Sequence, residues 1–148
     1  MCVAVLEQIQ RDAGAALKAG DRERTGALRM LASELQKAAK EAREQEVDEI
    51  AVLQRERKRR LESAEAYRDA GREDLAGAEE REAQVIDEYL PEQMGDDELR
   101  RIVEDTVAQA GATSQKDMGK VMSAVMPQVK GRADGKRVSA VVREVLTP

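Results

Sequence analysis

The chain has 148 residues, 41% of them apolar and 37% charged, and a formal net charge of −5. That length suits one domain or two small ones, and the acidic balance excludes a protein that coats nucleic acid over its whole surface. One cysteine, Cys2, excludes an internal disulfide framework and a Cys-based metal cluster. No apolar run approaches the ~18 residues needed to span a bilayer. Val3–Leu6 is too short for a signal-peptide core, so the expected setting is cytoplasmic.

With two Tyr, no Phe and no Trp, the core must be made of Ala, Val, Leu, Ile and Met. These pack helices well and sandwich sheets poorly. Ala, Glu, Arg and Leu recurring at helical period predict an all-α protein. The first helix is predicted from about Val3 to Ala19, with Leu6, Ile9, Ala13 and Leu17 on its buried face. Gly20 closes it and Asp21 caps the next. The second, about Arg22 to Gln45, repeats Leu28, Leu31, Leu35, Ala38 and Ala42. The pair is either a partner-binding hairpin or ordinary antiparallel packing, and the short Gly-Asp connection favours packing.

A third helix is predicted from Asp48 to Ala70. Its stripe begins with Ile50 and Leu53, is interrupted by Arg57 and Arg60, and resumes at Leu61, Ala64 and Tyr67. Within it, Arg55, Lys58 and Arg59 form a secondary basic cluster able to grip phosphates. The alternative is a solvated charge ladder, with Lys58 facing Glu62 and Glu56 facing Arg60 at the stabilising four-residue spacing. Arg55 and Arg59 have no acid four residues on. Gly71 ends this helix. A fourth, about Glu73 to Tyr89, uses Leu75, Ala78, Val85, Ile86 and Tyr89, which places Tyr67 and Tyr89 near one region of core.

Leu90-Pro91 breaks the pattern. The predicted organisation is an N-terminal antiparallel helical domain over 1–90, a linker over 91–95 and a small three-helix domain over 96–148. The tail's first helix has Asp96 as its N-cap and buries Leu99, Ile102, Val103, Val107 and Ala110 before Gly111. The next uses Met118, Val121, Met122, Val125 and Val129, with Pro127 expected to kink or end it near Met126. Gly131 closes it, Asp134 caps the last helix, and Val138, Val141, Val142, Val145 and Leu146 form the final stripe. The polar joint between these two helices is expected to project.

Chemistry is poorly provided for. Without histidine the most versatile acid–base group near neutral pH is missing, along with most zinc and triad arrangements. Cys2 has no histidine to activate it. Glu79, Glu80 and Glu82 cluster, but acids on an amphipathic helix are ordinarily solvated, and general acid–base work needs desolvation. Residues 131–136 lack the preceding strand and the length of a phosphate loop. No catalytic residue, metal site or cofactor is expected.

Charge is segregated instead. Residues 1–95 carry 16 bases and 22 acids, whereas from Lys120 to Arg143 six bases face one acid, Asp134. Lys120, Lys130, Arg132, Lys136 and Arg137 are the candidate nucleic-acid contacts, with affinity expected to fall with salt. Lacking Phe and Trp, the chain offers little stacking for single strands, so backbone and shape recognition of a folded RNA is the expected mode. The alternative is a solvated or protein-binding basic face.

The same stretch, GKVMSAVMPQVKGRADGKRVSAVV, resembles the tail domain of the GatB/YqeY family. Upstream, LRML at 28–31, YRDAGREDLA at 67–76 and YLPEQ at 89–93 resemble the stand-alone YqeY-like proteins, so the likeness runs from about Ile9 to Leu146. Within the tail the matching positions are Gly119, Lys120, Val121, Lys130, Gly131, Arg132, Ala133, Lys136 and Val138. Asp134-Gly135 departs from the Asn-Pro common in the amidotransferase subunits, which keeps a cap and loosens the joint. The resemblance implies a link to the glutamine-dependent amidotransferase that amidates mischarged tRNA, a carbon–nitrogen ligase whose tail domain helps hold the tRNA. The large kinase-like domain of that subunit and the amidase Ser-Ser-Lys machinery have no counterpart in this sequence. The expected function is therefore a non-catalytic accessory whose partners are tRNA or tRNA-handling and amidotransferase proteins. The alternatives are a helical protein–protein adaptor using the N-terminal helices, or a genuine component of the amidotransferase.

Overall fold

Seven α-helices and one 3₁₀ turn, with no strand, make up the described residues 4–43 and 45–147 of the computed structural model. The chain is all-α. Cys2 lies outside the described residues. The helices fall into two compact units, Met1–Leu90 and Pro91–Pro148.

The first unit holds α1 (Val5–Lys18), α2 (Arg22–Ala42), α3 (Glu49–Asp69) and α4 (Glu73–Asp87). They pack chiefly as two hairpins, α1 on α2 and α3 on α4. Gly20 and Gly71 take φ of +79° and +75°, a conformation that costs a side-chain-bearing residue, and so end α1 and α3 sharply. Asp21 accepts the Arg24 N–H at 3.0 Å and Asp48 the Ala51 N–H at 3.1 Å, capping α2 and α3. No residue beside α1 caps it. The Glu49 carboxylate, from the first turn of α3, accepts the N–H groups of Val5 and Leu6 at 3.2 and 2.9 Å. Ile9, Leu28, Leu31, Leu35, Leu53 and Ile86 form the heart of the core.

Two expected faces are corrected. Leu17 is 54% exposed, and Ala16 takes its place in the core. At about 100° per residue, seven steps from Ile9 return within about 20° of the same direction, whereas eight overshoot by about 80°. In α3 the buried residues are Val52, Leu53, Glu56 and Ala64, while Leu61 and Tyr67 are exposed. Tyr67 therefore does not share a core region with Tyr89, whose half-buried hydroxyl donates to Asp12. Where α3 meets α4, the buried apolar side chains beyond the main cluster are Ala64, Ala76 and Ala83, and charge does the rest of the joining.

The second unit holds α5 (Asp96–Ala110), the 3₁₀ turn (Gln115–Asp117), α6 (Met118–Val129) and α7 (Gly135–Leu146). Gly95, not Asp96, is the N-cap of α5, and Asp96, Asp97 and Glu98 form its first turn. Ser114 and Asp117 cap each other's backbone N–H groups before α6. Helix α6 runs through Pro127 to Val129 instead of stopping at Met126. The carbonyl deprived of a partner is that of Ser123, and both Ser123 and Pro127 lie on the exposed side. Val121, Val125 and Val129 meanwhile remain fully buried, with Leu99, Val103 and Val142 among their core neighbours. Met94, from the 91–95 stretch, is buried in this same core.

Candidate nucleic-acid interface

The joint between α6 and α7 is built by backbone requirements. After Val129 the chain leaves the helix at Lys130, and Gly131 takes φ +79°. Asp134 then accepts the Arg137 N–H at 2.7 Å to start α7. The joint does not project. Gly131 and Ala133 are buried, and residues 92–94 lie along it. Met94 donates its N–H to the Arg132 carbonyl at 2.8 Å, and the Gln93 amide donates to the Gly131 carbonyl at 3.0 Å. Arg132 returns a bond from Nε to the Glu92 carbonyl at 3.0 Å. Isolated joints have no such partners, so sequence periodicity gave no sign of this docking.

Two candidate cations meet acids here. Arg132 grips Glu98 with both terminal nitrogens, at 3.1 and 3.0 Å, and Arg137 reaches Asp96 at 2.6 Å. The paired guanidinium holds the Glu98 carboxyl below the usual carboxylate range, and Glu98 in turn raises Arg132. Lys130 and Lys136 are exposed, and Lys136 makes no ion pair among the described residues. Lys120 stands apart. Its Nζ donates to the Ala110 carbonyl at 3.1 Å, at the C-terminal end of α5, while the joint docks near the N-terminal end. The 15 residues of α5 put about 22 Å between those ends. Lys130, Arg132, Lys136 and Arg137 thus gather at one end of the unit and Lys120 at the other.

The secondary cluster is resolved differently. Glu56 is only 1% exposed, and Arg59 donates to its Oε1 at 3.0 Å. Arg55 stands 3.8 Å from the same oxygen and Arg60 3.6 Å from Oε2. Arg60 also meets Glu82 at 2.7 Å and Glu79 at 3.9 Å, tying α3 to α4. Arg57 pairs with Asp87, and Lys58 with Glu62 at 3.8 Å. Each cation from Arg55 to Arg60 therefore has an acid within reach. Arg55 and Arg59, which have no acid four residues on, meet Glu56 instead, one residue ahead and three behind. Arg57 and Arg60 thus tie α3 to α4, whereas Arg55, Lys58 and Arg59 stay exposed and, among the described residues, form ion pairs with acids of α3 itself.

The carboxylate trio divides likewise. Glu79 and Glu82 face Arg60, and Glu80 takes Arg68 at 2.6 Å. Burial pushes the Glu79 carboxyl upward, with the nearby Glu82 charge adding to the shift. Among the described residues no group of three or more His, Cys, Asp or Glu side chains is arranged to hold a metal ion, and no helix is long and apolar enough to cross a membrane.

A family model described as "Yqey-like protein" matches residues 6–146. A curated relative is 29% identical over 147 residues, an alignment covering 96% of this chain and 81% of the relative. It is "Altered inheritance of mitochondria protein 41, mitochondrial" from Pyrenophora tritici-repentis (strain Pt-1C-BFP).

Proposed function

The chain belongs to the YqeY-like protein family, and from that premise we propose that it is a non-catalytic accessory protein whose basic joint contacts tRNA or a tRNA-handling complex. The observation that supports this reading is the first turn of α7, which holds Lys136 and Arg137 and no acid. That turn is the positive end of the helix dipole, where acids stabilise and each cation costs some tenths of a kcal/mol, roughly 0.3–1. Arg137 has Asp96 as an internal partner, whereas Lys136 makes no ion pair among the described residues, and a cation kept there supports an external anion. Lys130 and Arg132 extend the patch across the joint, and the resemblance to the amidotransferase tail supports tRNA as that anion. The carbon–nitrogen ligase label with glutamine as amide donor belongs, on this reading, to the larger relative.

Fluorescence anisotropy of the full chain against bulk tRNA over a salt series tests it. Saturable binding is expected, with log K falling against log salt at a slope of about −3 for three or four phosphate contacts. Lys130→Glu with Lys136→Glu should weaken binding and flatten that slope. No binding at low salt, or an unchanged slope in the double variant, rejects the reading. The setting we propose is the cytosol. A fluorescently tagged chain found in mitochondria, the compartment in the fungal relative's name, would move the same reading to organellar tRNA.

A second reading, a protein–protein adaptor, is favoured by one observation. Leu17 on α1 and Met30 on α2, 54% and 53% exposed, are the most exposed large apolar side chains among the described residues. Under it, Leu17→Glu with Met30→Glu abolishes capture of a protein partner in nuclease-treated extract, and the joint variants leave capture intact.

A further inference from the structure

The acids of the first turn of α5 divide in a way that helix stability does not require. Asp96, Asp97 and Glu98 all sit at the positive end of the helix and serve its dipole equally. Only Asp96 and Glu98 are aimed at the joint, at Arg137 and Arg132, and Asp97 makes no ion pair among the described residues. Both bridges lie in solvent, with the Asp96 side chain 91% exposed, so they contribute little to folding. What they set is the charge of the face. The fork that Arg132 closes on Glu98 is the same bidentate fork that guanidinium offers a phosphate. Arg132 is also held independently, through Nε to the Glu92 carbonyl. Removing Glu98 therefore leaves both terminal nitrogens presented in place, with no reordering of the side chain.

We propose that Asp96 and Glu98 are an internal phosphate mimic, occupying Arg137 and Arg132 until an RNA backbone displaces them. This rests on the tRNA reading above. The exchange trades two carboxylates for two phosphates at the same guanidinium groups, so a single isolated phosphate competes poorly and a polyanion, which also engages Lys130 and Lys136, competes well. Weak, non-specific anions are thereby excluded from the joint.

The test compares the full-length wild type with Asp96→Asn/Glu98→Gln in tRNA anisotropy at matched salt, with circular dichroism confirming equal helicity. The double variant should bind tRNA several-fold more tightly, with a salt slope more negative by up to about 1–2, because no carboxylate is freed to take up cations again as the phosphates bind. Tight binding by the variant where the wild type binds feebly supports the proposal equally. Affinity equal to or below that of the wild type, while Lys130→Glu/Lys136→Glu still weakens binding, overturns the mimic and leaves the tRNA reading standing. Absence of binding by both proteins at low salt overturns both.

Discussion

The two units of this chain use charge in opposite ways. In the first, a carboxylate is buried: Glu56 is held among Arg55, Arg59 and Arg60 of its own helix α3, and Arg60 carries the connection on to Glu79 and Glu82 of α4. In the second, the core is valine, leucine and methionine, and its ion pairs lie at the rim. The difference follows from side-chain supply. Beyond the main core cluster, helices α3 and α4 bury only the small apolar residues Ala64, Ala76 and Ala83, which leaves room for long charged side chains. Helices α6 and α7 supply a valine at nearly every inward position, so their cations stay outside. Charge fastens the first unit and equips the surface of the second.

The sharpest way to break that contrast is Glu56→Ala. It leaves Arg59 without its carboxylate and opens a void at a site only 1% exposed. Breaking a buried pair from one side costs several kcal/mol, and allowing for Arg60's remaining bond to Glu82 we expect a loss of about 3 kcal/mol. Urea unfolding gives the magnitude, and hydrogen exchange should show protection lost in α3 and α4 first. A loss below about 1 kcal/mol would mean that Glu56 behaves as a surface acid.

The contrast was only half legible in the sequence. Local backbone chemistry was readable: Gly20, Gly71, Gly111 and Gly131 all take the positive φ that ends a helix, and Asp21, Asp48 and Asp134 all cap. These features depend on neighbours within four residues. The α3 face was not readable, because Glu56 is buried with its charge met by Arg59 and Arg60, and Arg60 is in turn held by Glu79 and Glu82 from another helix. Apolar periodicity instead placed Leu61 and Tyr67 inward, and both are exposed. The joint cations were identifiable by count, but the docking of residues 92–94 and the pairing with Asp96 and Glu98 come from tertiary contacts, which the joint's sequence does not encode locally. Lys120 shows the same limit. Sequence groups it with the joint, and the fold sets it at the far end of α5.

The apolar counterpart in the second unit is Val125→Ala. Val125 is fully buried among core valines, and removing its two methyl groups leaves a cavity whose cost we expect at about 2 kcal/mol. Protection should fall in α5, α6 and α7. If Val125→Ala costs more than Glu56→Ala, the apolar core is the more demanding of the two designs.

Capping separates the units on a finer scale. Helix α1 relies on a distant side chain, Glu49, whereas α7 relies on the adjacent Asp134. Replacing either by Ala should cost about 1 kcal/mol. Glu49→Ala should in addition expose the start of α1 to exchange together with the first turn of α3, because one carboxylate serves both. Asp134→Ala should fray only α7.

The smallest expected effect concerns Tyr89 and is visible mainly in alkali. Burial first, then the bond to Asp12, raises the phenol's pKa well above its ordinary value. The folded state thus holds the proton more tightly than the unfolded chain does. The resulting stabilisation is complete below pH ~10, the unfolded phenol's pKa, and is lost as pH rises from there towards the folded value. Tyr89→Phe removes the hydroxyl and its bond, at a cost of about 1 kcal/mol near neutral pH. Above pH ~10 the stability curves of the two proteins should converge, since the two chains differ only in this hydroxyl. The second unit contains no tyrosine, so the converging part of the loss should appear in hydrogen exchange only within residues 4–90. Curves that stay parallel to pH ~11 would mean that the folded protein holds the phenol's proton no more tightly than the unfolded chain does.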